Sequence, residues 1–235
     1  MRSQLRSGSW QGSTADGRRG AQDRIDGIVS LTIEHLTKGI RYWRTTDWPQ
    51  DFHNSYYERV LSGVRVTNGA FDLQWWSRFY PILRDWRATR PASRMFLTTR
   101  VQERFQQLGG AWSSVIAPNL SRDIETLEWK HIAAFPLLVT EIKPLKYPSP
   151  VFTSKFCHFL APRIFPVVDN KAMGNPFTSY EAYFTLARQE WLGTENATRE
   201  ELIARLSREI GAPVFSEFPT KCKLIELCLI GRYIR

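Results

Sequence analysis

The sequence contains few of the residues that form disulfides or bind metals. Three cysteines occur among its 235 residues, namely Cys157, Cys222 and Cys228. Three are too few for a disulfide framework, and they cannot supply the four thiolates of an iron–sulfur cluster. No spacing typical of metal ligands occurs among the four histidines, which are His35, His53, His131 and His158. We therefore expect a protein without a metal or another cofactor.

Long apolar runs are also absent. No stretch reaches the roughly 18 consecutive apolar residues that a transmembrane helix needs. Residues 1–24 lack the apolar core of a secretory signal and are rich in Ser, Gly, Arg and Gln. Such a segment buries too little apolar surface to offset its ordering entropy. We expect a cytoplasmic protein with no membrane partner and a flexible basic arm over residues 1–24.

Positive charge, in contrast, is in excess. Lys and Arg number 32 against 23 Asp and Glu, which gives a formal net charge of +9 and a pI near 9.7. This balance suits a polyanionic partner, most often nucleic acid. Hydrophobic residues make up 43% of the chain, which is long enough to bury a sizeable core. Residues 25–235 are predicted to form a single domain.

The apolar residues recur mostly at three- and four-residue intervals. This spacing predicts helices over residues 25–40, 94–108 and 121–134, the last with Ser121 as its N-cap and ending before Pro136. Two capping boxes, Thr178-x-x-Glu181 and Thr198-x-x-Glu201, predict further helix starts. A final helix is predicted to begin at Thr220, after a proline.

Strand patterns are rare in this chain. Only residues 64–66 and 137–142 have the composition of strands, and the second segment is equally compatible with a helix. No internal repeat occurs. The sequence therefore predicts an all-α protein.

Residues 148–173 combine an amphipathic helix with an apolar, proline-rich turn. The helix is predicted to start at Thr153 or Ser154, and it places Lys155 beside an apolar stripe that includes Phe152 and Phe159. A lysine beside buried aromatic rings loses solvation, which lowers its pKa from about 10.4. Such a lysine can act as a nucleophile near neutral pH. After two prolines the chain reaches Asp169, whose carboxylate can cap the next helix or face the lysine.

This segment resembles the core of the helix-hairpin-helix DNA glycosylases, especially the branch of the oxidised-guanine glycosylases. Residues 150–155, Pro-Val-Phe-Thr-Ser-Lys, stand where that family has a hairpin followed by its catalytic lysine. Residues 165–169, Phe-Pro-Val-Val-Asp, stand where the family has the turn that ends in its catalytic aspartate. Both hairpin glycines and the glycine of the loop before the aspartate are absent, which points to an unusual substrate, such as a bulky modified base.

The resemblance implies an all-α fold of two lobes that hold double-stranded DNA and a flipped, modified base between them. The lobes correspond to residues 43–146 and to residues 25–41 together with 147–235. Asp169 would stabilise the sugar cation that forms as the N-glycosidic bond breaks, and Lys155 would attack the sugar or contact a phosphate or the sugar. The enzyme would leave an abasic site, with strand cleavage if the lysine forms a Schiff base. A monomer that serves DNA repair or defence against phages with modified DNA is expected.

The same resemblance leads to candidate residues around these two side chains. Contacts to DNA are predicted for Thr153, Ser154, His158, Arg163 and Lys171. An aromatic pocket for the flipped base is predicted from Trp75, Trp76, Trp86 and Trp112.

Each of these assignments has a structural alternative. Lys155 could extend from the helix to solvent, as most lysines do. Asp169 after a proline turn has the pattern of a helix N-cap, a role that is compatible with catalysis. His158 and most of the tryptophans are more often packed in a core than placed in a site.

Two other functions fit parts of the sequence. An apolar stretch that ends in Glu141-x-Lys143 resembles the active strand of restriction-endonuclease-like nucleases, with Asp123 as the nearest acidic residue for a magnesium site. That fold needs a central sheet. The other alternative is a non-catalytic DNA-binding protein, for which Lys155 and Asp169 would be dispensable.

Overall fold

The computed structural model of the protein describes residues 30–46, 57, 61–66, 69–144, 150–174, 177–211 and 218–234. All regular elements among these residues are helices, which confirms the all-α prediction. The α-helices are α1 Ile33–Arg44, α2 Leu61–Val64, α3 Leu73–Asp85, α4 Arg94–Gln102, α5 Phe105–Ala111, α6 Trp129–Ile132, α7 Ala134–Ile142, α8 Pro150–His158, α9 Tyr180–Gly193, α10 Asn196–Ile210 and α11 Thr220–Tyr233. Between α5 and α6 lie a π-helix at Trp112–Ile116 and two 3₁₀ turns, Ala117–Asn119 and Ile124–Thr126. No helix in these ranges is long and apolar enough to cross a membrane.

Helices α1 and α11 pack so closely that their backbones touch. A Cβ atom added to Gly39 of α1 would lie 1.9 Å from the carbonyl oxygen of Leu227. A Cβ atom added to Gly231 of α11 would lie 1.9 Å from the carbonyl oxygen of His35. Only glycine permits this approach, and it joins the first and last helices of the described chain into one unit.

Helix α8 runs through an aromatic core. Phe156 on this helix is fully buried, and its ring meets Phe79 of α3 edge to face at 5.0 Å. Phe79 in turn stacks on Trp75 at 4.9 Å. Aromatic pairs in these arrangements add about 0.5–1.5 kcal/mol to the burial of their surface. The core therefore holds the orientation of α8, and with it the position of Lys155.

The C-terminus of α3 closes with a Schellman motif. The amide of Ala88 donates to the carbonyl of Leu83, and the amide of Arg87 donates to the carbonyl of Arg84, both at 2.8 Å. The motif needs a left-handed residue after the C-cap, and Arg87 takes that role at φ 56°. The cap residue itself, Trp86, directs its carbonyl oxygen towards α8.

The strand predicted at residues 64–66 is wrong, whereas the segment 137–142, which fitted a strand or a helix, is helical. Residues 137–142 belong to α7, and residue 64 ends the short helix α2. Helix α7 also runs through Pro136, where the sequence predicted a helix to stop. The proline lies in the first turn of α7, where its missing N–H removes no helical hydrogen bond.

The predicted helix starts are correct in part. Helix α11 begins at Thr220 as predicted, whereas α8 begins at Pro150, before Thr153 and Ser154. The N-cap of α9 is Ser179, whose hydroxyl accepts from the amide of Ala182, so the expected cap at Thr178 is off by one residue. The second predicted capping box, Thr198-x-x-Glu201, does not open a helix, because α10 already begins at Asn196.

Three further boundaries differ from prediction. The helix expected over residues 94–108 is divided into α4 and α5, and α5 continues past the glycine pair to Ala111. Ser121 caps no helix, since a 3₁₀ turn and the short α6 occupy that segment. Helix α1 is capped by Thr32 and ends at Arg44, four residues later than the predicted end. The predicted basic arm lies outside the described residues.

Candidate active site

A cavity of about 470 Å³ lies where α1, the end of α3, α8, the turn after α8 and α11 meet. Binding sites for small ligands commonly have volumes of about 300–1,000 Å³, so this space is large enough for a nucleoside. Its polar and aromatic walls include Tyr42, Trp86, Lys155, Asp169, Lys223 and Glu226. The lysine and the aspartate that the sequence singled out therefore line one cavity.

Lys155 is half-buried and held by a backbone acceptor. Its Nζ donates to the carbonyl of Trp86 at 2.7 Å and lies 5.9 Å from the centroid of the indole. Burial lowers the pKa of Lys155, although the carboxylates of Asp169 and Glu226 act in the opposite direction. The side chain neither extends freely into solvent nor pairs directly with a carboxylate among the described residues.

Asp169 is positioned by the turn that follows it. Its Oδ1 accepts from the amide of Ala172 at 3.1 Å, and its carbonyl accepts from the amide of Met173 at 3.0 Å. The carboxylate thus caps this turn. It does not cap a helix, since α9 begins only at Tyr180. Oδ2 makes no hydrogen bond to any described residue, which leaves one oxygen for a ligand in the cavity.

Three buried hydroxyls hold the segment that leads to Asp169. The Oγ of Ser154 accepts from the amide of Val168 at 3.1 Å. Tyr183 donates to the carbonyl of Val167 at 2.6 Å, and Tyr180 donates to the carbonyl of Pro166 at 2.9 Å. Backbone groups within a protein need such partners when water cannot reach them. The path from α8 to the aspartate is therefore rigid.

The structure contradicts direct DNA contacts by three of the predicted residues. Thr153 is 2% exposed, and its hydroxyl pairs with that of Thr140 at 2.9 Å. Ser154 and His158 are fully buried, and Nδ1 of His158 lies 2.6 Å from the carbonyl of Phe165. These side chains support the site from within.

The two remaining candidates for DNA contacts, Lys171 and Arg163, lie at two different cavities. Lys171 is exposed at the rim of the cavity. Arg163 borders a second cavity of about 310 Å³, and its Nε donates to Asp123 Oδ1 at 2.7 Å. Only Lys171 is therefore next to Lys155 and Asp169.

Of the four tryptophans proposed for the base pocket, Trp86 alone lines the cavity with Lys155. Trp75 and Trp76 are each 2% exposed and belong to the aromatic core around Phe156. Trp112 is equally buried and borders the second cavity. The assignment of these three to the pocket around Lys155 is incorrect, because their rings are buried by packing in the core.

Sequence reasoning missed the contribution of α1 and α11 to the cavity. Tyr42 comes from α1, whereas Lys223 and Glu226 come from α11 and form an ion pair of 2.5 Å. Burial raises the pKa of Glu226, and the ammonium of Lys223 opposes this shift. Two charges three residues apart within the otherwise apolar stretch 222–230 of this helix were the signal that could have found them.

The residues of the nuclease alternative do not converge. Glu141 is exposed and pairs with Arg104 at 3.0 Å. Lys143 is buried and donates to the carbonyls of Ala88 and Arg90 at 2.8 and 2.6 Å. Burial lowers the pKa of Lys143 to about 8. Both residues lie at the end of a helix or just beyond it, so the structure offers none of the strand geometry that this reading requires.

No metal site supports that alternative either. Asp123 pairs with Arg163 at 2.7 Å and with Lys221 at 2.8 Å. Across the part of the chain that the structure describes, no group of three or more His, Cys, Asp and Glu side chains could hold a metal ion.

A comparison with protein-family models, curated proteins and solved structures finds no match for this chain.

Proposed function

We propose that this protein is a DNA glycosylase that flips a modified base out of double-stranded DNA and cleaves its N-glycosidic bond. The observation that carries the proposal is the convergence of Lys155 and Asp169 on one cavity of about 470 Å³. A nucleophile and a carboxylate are the two groups that this reaction needs. The net charge of +9 supports a polyanionic substrate.

The chemistry follows from the two side chains. As the bond from C1′ to the base nitrogen breaks, its electron pair leaves with the base and positive charge spreads over the sugar. The carboxylate of Asp169 stabilises that charge, and its Oδ2 is available to do so. Lys155, once its ammonium has lost a proton to water, attacks C1′ through Nζ as the base leaves, and a second proton passes from Nζ to water. Opening of the sugar ring at the C1′–O4′ bond then gives a Schiff base, and O4′ takes up a proton. Removal of a proton from C2′ breaks the C3′–O bond, so the 3′ phosphate leaves and the strand is nicked.

The walls and the rim of the cavity suit a flipped nucleotide. Tyr42 and Trp86 supply aromatic surface against which a base can stack. Lys171 and Arg87 are exposed cations at the rim and can meet the phosphates on either side of the flipped nucleotide. A monomer could carry out the reaction, because every group named here comes from one chain.

The substrate is proposed to be a bulky modified base. The hairpin glycines that bring a backbone close to DNA in the glycosylases which this segment resembles are replaced here by Val151 and Thr153. Fewer close contacts to the DNA backbone fit an enzyme that gains its binding energy from the base itself. Repair of damaged DNA and defence against phages with modified DNA are both compatible with such a substrate.

The test is a base-release assay with purified protein and no added metal. Duplexes with natural, oxidised and phage-type modified bases are incubated, and the products are read before and after hot alkali. Alkali-sensitive abasic sites are expected, and Asp169→Asn should reduce their formation at least 100-fold. Nicks without alkali that borohydride traps as a covalent complex should vanish with Lys155→Gln.

Exposed residues of the same type serve as matched controls. Lys130→Gln and Asp85→Asn change surface side chains outside the cavity and should leave base release within twofold of the parent. Cleavage only with magnesium, lost with Glu141→Ala, would instead indicate the nuclease. DNA binding with no product from any of these duplexes would indicate the non-catalytic DNA-binding protein.

A further inference from the structure

The ion pair between Lys223 and Glu226 is buried in the wall of the cavity. The two residues lie one turn apart on α11 and are 2% and 7% exposed. Nζ of Lys223 lies 6.0 Å from the centroid of the Trp86 ring, and Nζ of Lys155 lies 5.9 Å from the same centroid. The two ammonium groups therefore flank one indole.

The pair retains unused hydrogen-bonding capacity. Glu226 Oε2 accepts from Lys223 Nζ, which is the single hydrogen bond of that ammonium to a described residue. The other oxygen of Glu226, Oε1, has no partner in the described ranges. An ammonium carries three donors, and a carboxylate oxygen accepts readily. Glu226 Oε1 is not among the described polar atoms that are sealed from solvent, so it opens onto the cavity, where a ligand can replace water as its partner.

Folding alone does not account for these charges. Replacing a buried ion pair with apolar side chains of similar size is often neutral or stabilising, because both ions must be taken out of water. Apolar neighbours on the same helix, Leu224 and Ile225, already pack in the core. A buried ion pair is a weak source of stability, and this one faces the space for the base.

We propose that Lys223 and Glu226 read the hydrogen-bonding edge of the flipped base. This inference rests on the proposed glycosylase function. Lys223 donates to a carbonyl oxygen of the base, and Glu226 accepts from the ring N–H beside that carbonyl. The substrate class is therefore a base with a lactam edge, as in guanine, thymine and uracil and their derivatives.

The chemistry of the pair explains this preference. A hydrogen bond to an ionised group is stronger than one between neutral groups, and the ring N–H of a lactam is a more acidic donor than an exocyclic amino group. Adenine and cytosine present an amino donor and a ring nitrogen acceptor instead. A base that offers no partner to Lys223 or to Oε1 of Glu226 would displace water from both groups without replacing its hydrogen bonds.

Binding to a defined probe tests the pair. A short duplex carries one extrahelical thymine, and its partner duplex carries 3-methylthymine, which lacks the ring N–H but keeps the ring and the carbonyls. Affinities are measured by fluorescence anisotropy at fixed salt with full-length Asp169→Asn, so that no base is released. We expect a preference of about tenfold for thymine.

The double variant Lys223→Met/Glu226→Met removes both charges together and leaves no unpaired ion. It should melt at or above the temperature of the parent and bind the two duplexes within twofold of each other. The control Glu34→Met/Lys38→Met removes an exposed ion pair on α1 and should keep the tenfold preference.

A preference that survives in the folded double variant, or no preference in the parent, would overturn this inference. Either result leaves base release in the assay of the wild-type chain unaffected. A thymine preference lost only with the double variant supports the reading pair even if no base is released, in which case the glycosylase proposal alone fails.

Discussion

The hydroxyl of Ser154 and the backbone amide of Val168 form a buried 3.1 Å hydrogen bond, and each of the two residues directly precedes a proposed catalytic residue. Lys155 follows Ser154, and Asp169 follows Val168. One hydrogen bond thus sets the register between helix α8 and the segment that returns to it. This contact is one of the three hydroxyl-to-backbone hydrogen bonds that hold the segment before Asp169.

Ser154→Ala should therefore impair the chemistry more than the binding of DNA. Loss of the hydroxyl leaves the Val168 amide without an acceptor, which costs about 1–3 kcal/mol of folding free energy. A displacement of Asp169 by a fraction of an ångström should lower kcat about 10- to 100-fold while KM changes little. Single-turnover base release and thermal unfolding measure the two effects.

The matched control for this variant is Ser77→Ala. The hydroxyl of Ser77 is exposed and donates to the carbonyl of Gln74 at 2.8 Å, far along the chain from the site. That variant should retain the parental kcat. If Ser154→Ala keeps full activity despite the loss of stability, the hydroxyl has no positioning role.

His158 should make the protein sensitive to acid. Burial lowers its pKa from 6.5 to about 3, and the carbonyl of Phe165 only partly opposes this shift. At a pH between these two pKa values, His158 binds a proton in the unfolded chain but not in the folded protein. The free energy of unfolding must therefore fall as the pH decreases below about 6.5, by about 2 kcal/mol between pH 6.5 and 5.

Chemical denaturation at pH 7, 6 and 5 measures this slope. His158→Gln loses stability at every pH because the Phe165 carbonyl loses its partner, but its slope should be shallower by the contribution of the histidine. His131→Gln, which changes an exposed ring, should keep the parental slope. Equal slopes for the parent and His158→Gln would show that the buried ring does not govern acid unfolding.

Two glycine substitutions should have opposite effects on stability. Gly39→Ala places a Cβ 1.9 Å from the carbonyl oxygen of Leu227, so α1 and α11 must separate. We expect a loss of about 3 kcal/mol or more. Gly110→Ala adds a methyl group to a helical position with nothing within 4 Å, and it should stabilise the protein by about 0.5–1 kcal/mol.

The same pair of variants also probes the cavity. Separation of α1 from α11 displaces Tyr42 relative to Lys223 and Glu226, so Gly39→Ala should weaken base binding as well as folding. Gly110 lies outside the cavity, and its substitution should leave base release unchanged. Melting curves and the base-release assay on both proteins measure these effects. Full activity of Gly39→Ala would show that the cavity does not depend on the packing of α1 against α11.

Local sequence was sufficient for the helical class and for the choice of Lys155 and Asp169 as candidates. Apolar periodicity and the start at Thr220 are properties of neighbouring residues, and they predict helices without knowledge of the fold. The lysine and the aspartate are 14 residues apart, but the local pattern left open whether the carboxylate faces the lysine or caps the next helix. The start of α8 at Pro150 does not follow from local sequence, because a proline in the first turn is equally compatible with a helix and with a loop.

The rest of the site was decided by packing between distant segments. Tyr42 and Glu226 are brought to the cavity by the contact of α1 with α11, which depends on the two glycines that let their backbones touch. Trp75 lies in α3 and Trp86 is the C-cap of the same helix, and both are buried. Nothing in the sequence around them shows that the first ring belongs to the core and the second to the cavity wall. The sequence by itself determined that the chain is helical, and it singled out a lysine and an aspartate 14 residues apart. The tertiary structure decided which side chains share their cavity, because burial is a property of the faces that helices present to one another.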